Sequence, residues 1–169
     1  MKLDEKEEVF SQIYLKLLNF LSFSKRSRKE LLDKVEKYVS KSSISPKDKS
    51  EIKERIILAL EKDGYLRDAT DVDFAKSYIE SLENSGKSFN SLRINRFLQK
   101  KGVSRDIIND ILKNLDKDLI YESVLRDAQK KLRTLGGEDK YTKKRKLLKY
   151  LYGKGYPFDI SSSVVDTLL

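Results

Sequence analysis

Residues 91–115, SLRINRFLQKKGVSRDIINDILKNL, read beside residues 144–168, KRKLLKYLYGKGYPFDISSSVVDTL, decide the fold. Slid by 53 residues, Ile94, Phe97 and Leu98 fall on Leu147, Tyr150 and Leu151, and Gly102 falls on Gly155. Asp106, Ile107, Ile111, Leu112 and Leu115 then fall on Asp159, Ile160, Val164, Val165 and Leu168. The likeness extends upstream, where Ala75, Ile79 and Leu82 match Ala128, Leu132 and Leu135. So many coincident apolar positions, with a shared glycine and no gap, mark an internal repeat.

Within each copy the apolar residues recur every three or four positions, which is helical, and the glycine interrupts the pattern between the second and third segments. The spacing predicts helices over Val72–Ser85, Ser91–Lys101 and Arg105–Leu115 in the first of these copies, with Ser104 as N-cap of the last. A third, looser copy occupies the N-terminal part. Tyr14, Leu17, Leu18 and Leu21 match its first helix, Leu31 and Val35 its second, and Ile52, Ile56, Ile57 and Leu60 its third. Between the last two, Ser40 to Ser50 reads as a longer polar loop, an insertion that chain entropy tolerates. The expected fold is all-α: three tandem three-helix repeats, helix-turn-helix-like, over 1–66, 67–116 and 117–169. Units this small share interfaces with their neighbours, so an elongated, curved rod is expected, with a long inner face for a partner.

Composition agrees. Charged residues make up 37% of the chain against only 2 Pro and 7 Gly, which favours surface-rich helices over turn-rich sheets. With 0 His and 0 Cys, imidazole bases, thiolate nucleophiles, disulfides and nearly all zinc sites are excluded, and no phosphate-cradling glycine loop is present. The reading is of a protein that is not an enzyme and needs no cofactor or metal. No apolar run approaches membrane-spanning length, and Met1 to Glu8 is acid-rich where a secretory leader is basic and then apolar, so a cytoplasmic location is expected. Against 27 Asp+Glu stand 36 Lys+Arg, a formal charge of +9, which suits a polyanionic partner and is equally what a lysine-rich proteome produces.

A series of short motifs runs through the middle of the chain: Asp63-Gly64-Tyr65-Leu66-Arg67-Asp68, then Asp73-Phe74-Ala75 and Tyr78, then Arg93-Ile94, Phe97-Leu98 and Lys101-Gly102-Val103. Arg26-Ser27-Arg28-Lys29-Glu30-Leu31 precedes them and Lys154-Gly155-Tyr156 follows. In this order they resemble the RecX family, whose central repeat carries a GYL-acidic turn, an FA helix, an R-I helix and a KG junction. Ala69 and Thr70 lengthen the turn before the FA helix. The resemblance implies a regulatory protein that lies along a RecA-type recombinase filament on DNA. It also implies restraint of filament growth, ATP hydrolysis and strand exchange, in DNA recombination, repair and the SOS response. The expected partners are that filament and DNA, single-stranded or filament-bound and without sequence preference; the expected state is a monomer.

Most motif residues have a structural role to fill first. Gly64 suits a left-handed helix C-cap with Tyr65 and Leu66 tucked behind it. Phe74, Ala75, Tyr78, Ile94 and Leu98 read as core, and Gly102 and Gly155 as junctions. Asp68, Asp71 and Asp73 sit where carboxylates cap a helix, and they lack the alternation of a calcium loop. The cations are the candidate contacts: Lys25, Arg26, Arg28 and Lys29 in the first copy, Arg93, Arg96, Lys100 and Lys101 in the second, and Lys143, Lys144, Arg145 and Lys149, with Lys146, in the third. They recur on the second helix of every copy, so they form either a binding stripe or merely a solvated face. Arg93, Arg96 and Lys100, spaced by three and four, share one face. Tyr141, Tyr150 and Tyr152 accompany the third cluster, where tyrosines can stack on bases; Tyr150 aligns with Phe97 and so reads as core. A different reading, a duplex binder of the helix-turn-helix kind, is weakened by third helices poor in base-reading side chains.

Overall fold

A computed structural model describes residues 3–169, with side chains from Glu5 onward, so the start of the acid-rich Met1 to Glu8 segment lies outside the described residues. Among the described residues there are nine helices and no strand: α1 (Leu3–Ser22), α2 (Arg28–Ser40), α3 (Pro46–Lys62), α4 (Asp68–Asn84), α5 (Ser91–Lys100), α6 (Arg105–Lys113), α7 (Lys117–Leu132), α8 (Lys140–Gly153) and α9 (Phe158–Leu168). The order is that of three tandem three-helix repeats. No described helix is long and apolar enough to cross a membrane.

Three boundaries differ by two residues or more from those the spacing predicts, each for a local reason. The Ser40 to Ser50 loop shrinks to residues 41–45, because Ser45 caps α3 by accepting from the Asp48 amide at 3.2 Å and Pro46 occupies its first turn. Helix α4 begins at Asp68, so Ala69 and Thr70 are helical and do not lengthen the turn. Helix α6 ends at Lys113, short of Leu115, because Asp116 already caps α7 by accepting from the Asp118 amide at 2.8 Å.

The contacts gather into two compact units, one running to Ser77 and including Lys101–Ser104, the other comprising Tyr78–Lys100 and Arg105–Leu169. In the first, Leu17, Leu31, Val35, Ile52, Ile56 and Leu60 are fully buried, as their spacing requires. Each such Leu or Ile contributes about 2 kcal/mol, whereas an exposed ion pair contributes well under about 1 kcal/mol. Apolar positions therefore set the register of these helices. In the second unit the repeat-related pairs Ile94 and Leu147, and Leu98 and Leu151, are all buried. Val164 and Val165 of α9 are also buried, but Ile111 and Leu112 of the shorter α6 are only half-buried.

The glycines at the ends of α3 and α8 close those helices in the same way. Gly64 has φ +84°, and the Tyr65 amide donates to the Leu60 carbonyl at 2.8 Å; Gly155 has φ +84°, and the Tyr156 amide donates to the Leu151 carbonyl at 3.2 Å. Gly155 carries a second constraint: a Cβ there lies 2.3 Å from the Cβ of Leu92. Gly102 meets the same demand in the first unit, where a Cβ lies 2.7 Å from the Cβ of Lys29. The end of α8 thus rests on the start of α5, and the Gly102 turn on the start of α2.

Two alanine substitutions separate the conformational demand from the packing demand. Gly137 has φ +78° but open space around it, so Gly137→Ala should cost about 1 kcal/mol of unfolding free energy in urea titration, from the left-handed backbone alone. Gly155→Ala adds overlap with Leu92 and should cost about 3 kcal/mol or more. Equal losses would remove the packing role.

Candidate functional site

The start of α2 is a joint. Ser27, fully buried, accepts from the Glu30 amide at 3.2 Å while the Glu30 carboxylate accepts from the Ser27 amide at 3.2 Å, a reciprocal capping box. The Ser27 hydroxyl also donates to the Lys101 carbonyl at 2.7 Å, and the Lys101 ammonium pairs with Glu30. Asp71 of α4, buried, accepts from the Arg28 amide at 2.8 Å. Asp71 therefore satisfies the start of α2 rather than of its own helix. Neighbouring Asp68 pairs with Arg28, and Asp73 lies 3.9 Å from Lys25. Of the acid trio expected as capping residues, Asp71 caps α2, while Asp68 and Asp73 pair with the Arg28 and Lys25 side chains.

The start of α5 repeats this arrangement with other side chains. Buried Asn90 accepts from the Arg93 amide at 2.8 Å, and Ser123 of α7 accepts from the Phe89 amide at 2.8 Å. Asp127 of α7 accepts from Ser88 at 2.8 Å, from the Tyr156 hydroxyl at 2.7 Å and from Lys154 at 3.0 Å. Lys101 and Lys154, which precede the two junction glycines, thus do one job: each pairs with a carboxylate at the joint. Asp71 stands out in the sequence only as one of an acid trio, and none of Ser27, Glu30, Ser123, Asp127 and Tyr156 stands out by charge clustering. The S-x-x-E box at Ser27 is the one such signal that sequence alone carries.

Burial and hydrogen bonding oppose each other at these joints. Burial pushes the Asp127 carboxyl up, but donation from Tyr156, Ser88 and Lys154 outweighs it, leaving Asp127 below the usual carboxylate range. At Asp71 burial wins over the Arg28 amide, and its carboxyl is raised. Burial alone pulls the Lys154 ammonium down; Tyr150 and Asp127 reverse this, and it stays charged.

The joints sort the candidate cations. Lys25, Arg28, Lys101, Lys144 and Lys146 are ion-paired, the last two with Asp166 and Glu138. The Arg26 guanidinium carbon lies over the Phe20 ring, 4.4 Å from its centroid. Lys29, Arg93, Arg96, Lys100, Lys143, Arg145 and Lys149 have no carboxylate within salt-bridge distance among the described residues. Three of these converge: Arg93, Arg96 and Lys100 line an open groove of about 520 Å³ in the second unit, with Leu92, Asn90, Gly153 and Lys154. Its aromatic wall is Tyr78 and Phe97, stacked with centroids 3.8 Å apart. Tyr78, expected only as core, is half-buried there, while Phe74 and Ala75 are buried as expected. Tyr150 is half-buried with Lys131 and Lys154 over its ring, so it is not available as Tyr141 and Tyr152 are. The arrangement offers guanidinium forks beside an apolar ring surface, which suits phosphate or carboxylate groups.

A helical-repeat protein that presents a cationic groove is the class this geometry defines. Residues 118–165 match the family described as RecX, third three-helix domain. The regulatory protein RecX of Clostridium perfringens (strain 13 / Type A) is 30% identical over 167 residues, covering 96% of this chain and 71% of that protein. The regulatory protein RecX of Clostridioides difficile (strain 630) is 29% identical over 163 residues, with coverage of 96% and 71%. The crystal structure of RecX from Lactobacillus salivarius superposes with a TM-score of 0.70 at 27% identity, over 96% of this chain and 97% of that one. The chain belongs to the RecX family of regulatory proteins.

The two buried aspartates predict opposite pH behaviour. Asp127, depressed, stabilises the fold above the ordinary carboxylate range, and that contribution is lost as pH falls through its folded value. Asp71, raised, contributes fully only below that range and loses its contribution as pH rises. At pH 7, Asp127→Asn should cost about 2 kcal/mol, while Asp71→Asn, which keeps the acceptor for Arg28, should leave stability equal or higher. Chemical denaturation at pH 7 and pH 4 checks both; a loss in Asp71→Asn matching that in Asp127→Asn would contradict the assignment.

Proposed function

We propose that this chain restrains a RecA-type recombinase filament assembled on DNA, with the groove of Arg93, Arg96 and Lys100 as its main contact and the free cations of α8 extending it. In this reading the protein is a non-enzymatic, monomeric, cytoplasmic inhibitor of filament assembly, ATP hydrolysis and strand exchange, acting in recombination, DNA repair and the SOS response. Its DNA contact is to phosphate and without sequence preference. The sequence repeats over 1–66, 67–116 and 117–169 are taken as its units of internal duplication.

One observation carries the reading: a groove built from cations that the rest of the described chain leaves uncompensated, in a protein whose family is named for regulation. Helices α5 and α8 are the only two of the nine whose sequences contain no Asp or Glu. Duplex readout by the third helices is disfavoured, because the exposed faces of α6 and α9 carry Asp106, Asp110, Asp159 and Asp166, which repel phosphates. Lys25, Arg28, Lys101 and Lys144, engaged with carboxylates, are assigned to the fold.

The test is inhibition of DNA-dependent recombinase ATPase by the purified protein. Reversing charge in the triple variant Arg93→Glu, Arg96→Glu and Lys100→Glu should weaken inhibition at least tenfold, at roughly 0.5 kcal/mol per lost contact or more, with helical circular dichroism unchanged. Full potency of the folded triple variant would refute the site, and no inhibition by the unaltered protein at stoichiometric ratios would refute the function.

A further inference from the structure

The outer face of α8 is not explained by the joints or by the groove. Tyr141 and Tyr152 are 77% and 75% exposed, among the most exposed large apolar side chains of the described residues. Arg145 and Lys149 lie between them, both exposed and neither in an ion pair among the described residues. The steps from Tyr141 to Arg145, to Lys149 and to Tyr152 are four, four and three, so the four side chains share one face, opposite buried Leu147 and Leu151. From end to end the row covers about 16 Å of helix. Nothing on α8 neutralises it, since the helix contains six Lys and Arg and no acid; of the acids near it, Glu138 and Asp166 are taken by Lys146 and Lys144, and Asp139 caps the helix by accepting from the Thr142 amide.

We infer that this face is a stacking platform for single-stranded nucleic acid: the rings of Tyr141 and Tyr152 take bases, and Arg145 and Lys149 take the phosphates between them. An exposed tyrosine ring gains little from water but offers a flat face to any base, which gives affinity without sequence preference. A duplex keeps its bases stacked inside and leaves the rings nothing to cover. An acidic protein surface would use the two cations but gain little from two separated rings, so the tyrosines favour the nucleic acid. This site deepens the proposed DNA contact and rests on it only for its regulatory meaning.

The test uses the full chain without recombinase and a fluorescent oligothymidylate, by anisotropy. Tyr141→Ala with Tyr152→Ala should weaken binding by roughly tenfold per ring and leave the salt slope unchanged. Phenylalanine at both positions should restore affinity, since stacking needs the ring and not the hydroxyl. Arg145→Ala with Lys149→Ala should lower the slope of log affinity against log salt by about 1.4, at about 0.7 per phosphate contact on a single strand. Circular dichroism and the melting temperature report folding; exposed positions should leave both unchanged. Unaltered oligonucleotide affinity in the folded double alanine variant overturns the platform, as does an equal loss for duplex DNA. If that variant keeps its oligonucleotide affinity but loses recombinase inhibition, the face docks protein and the inference fails while the function stands. If oligonucleotide binding falls as expected but no recombinase inhibition exists to begin with, the platform stands and the filament reading fails.

Discussion

Every helix begins with amides that have no partner inside the helix, and burial of those amides without acceptors is costly. In this molecule the starts of α2 and α5 are capped partly from within, by Ser27 and Asn90, and partly from the following repeat, where Asp71 accepts from the Arg28 amide and Ser123 from the Phe89 amide. That requirement ties the start of α2 to α4 and the start of α5 to α7. It also brings Gly102 and Gly155 so near the preceding helix that no side chain fits there. The lysine before each glycine is drawn into the same joint, where it pairs with Glu30 or Asp127.

The joints divide the basic residues by role. A cation held beside a buried carboxylate is poorly placed to meet a partner, since breaking the pair leaves a buried charge uncompensated. A cation on an acid-free helix face loses little beyond side-chain freedom on binding. Around the start of α2, Arg28 pairs with Asp68 and Arg26 sits over Phe20, whereas α5 leaves Arg93, Arg96 and Lys100 open and α8, with Lys144 and Lys146 paired, leaves Arg145 and Lys149 open. A net charge of +9 alone could not reveal this, because charge counts do not record who faces whom.

The fold was largely legible. Offset matching of Ile94 with Leu147 and of Leu98 with Leu151 picks out side chains that prove fully buried, since a three-to-four spacing leaves a helix one apolar face to hide. The errors came where short polar residues decide: Ser45 and Pro46 start a helix inside what reads as a loop, and Asp68 joins α4 where a longer turn was expected. The clustering of Arg93, Arg96 and Lys100 was visible from their spacing, and the groove gathers all three. Tyr78 on its wall was not, because its role depends on stacking against Phe97, fixed only by tertiary packing. Lys101 and Lys25 looked like contacts from sequence because their carboxylate partners, Glu30 and Asp73, lie 71 and 48 positions away.

Chemical footprinting of lysines in the folded protein tests this division most directly. With an amine-acetylating reagent followed by mass spectrometry, Lys101 and Lys154 should react slowly and Lys100 and Lys149 fast; a recombinase filament on DNA should then slow the latter pair alone. Equal reactivity of all four in the free protein, or a filament that shields Lys101 and Lys154 while leaving Lys100 and Lys149 unchanged, would contradict the account.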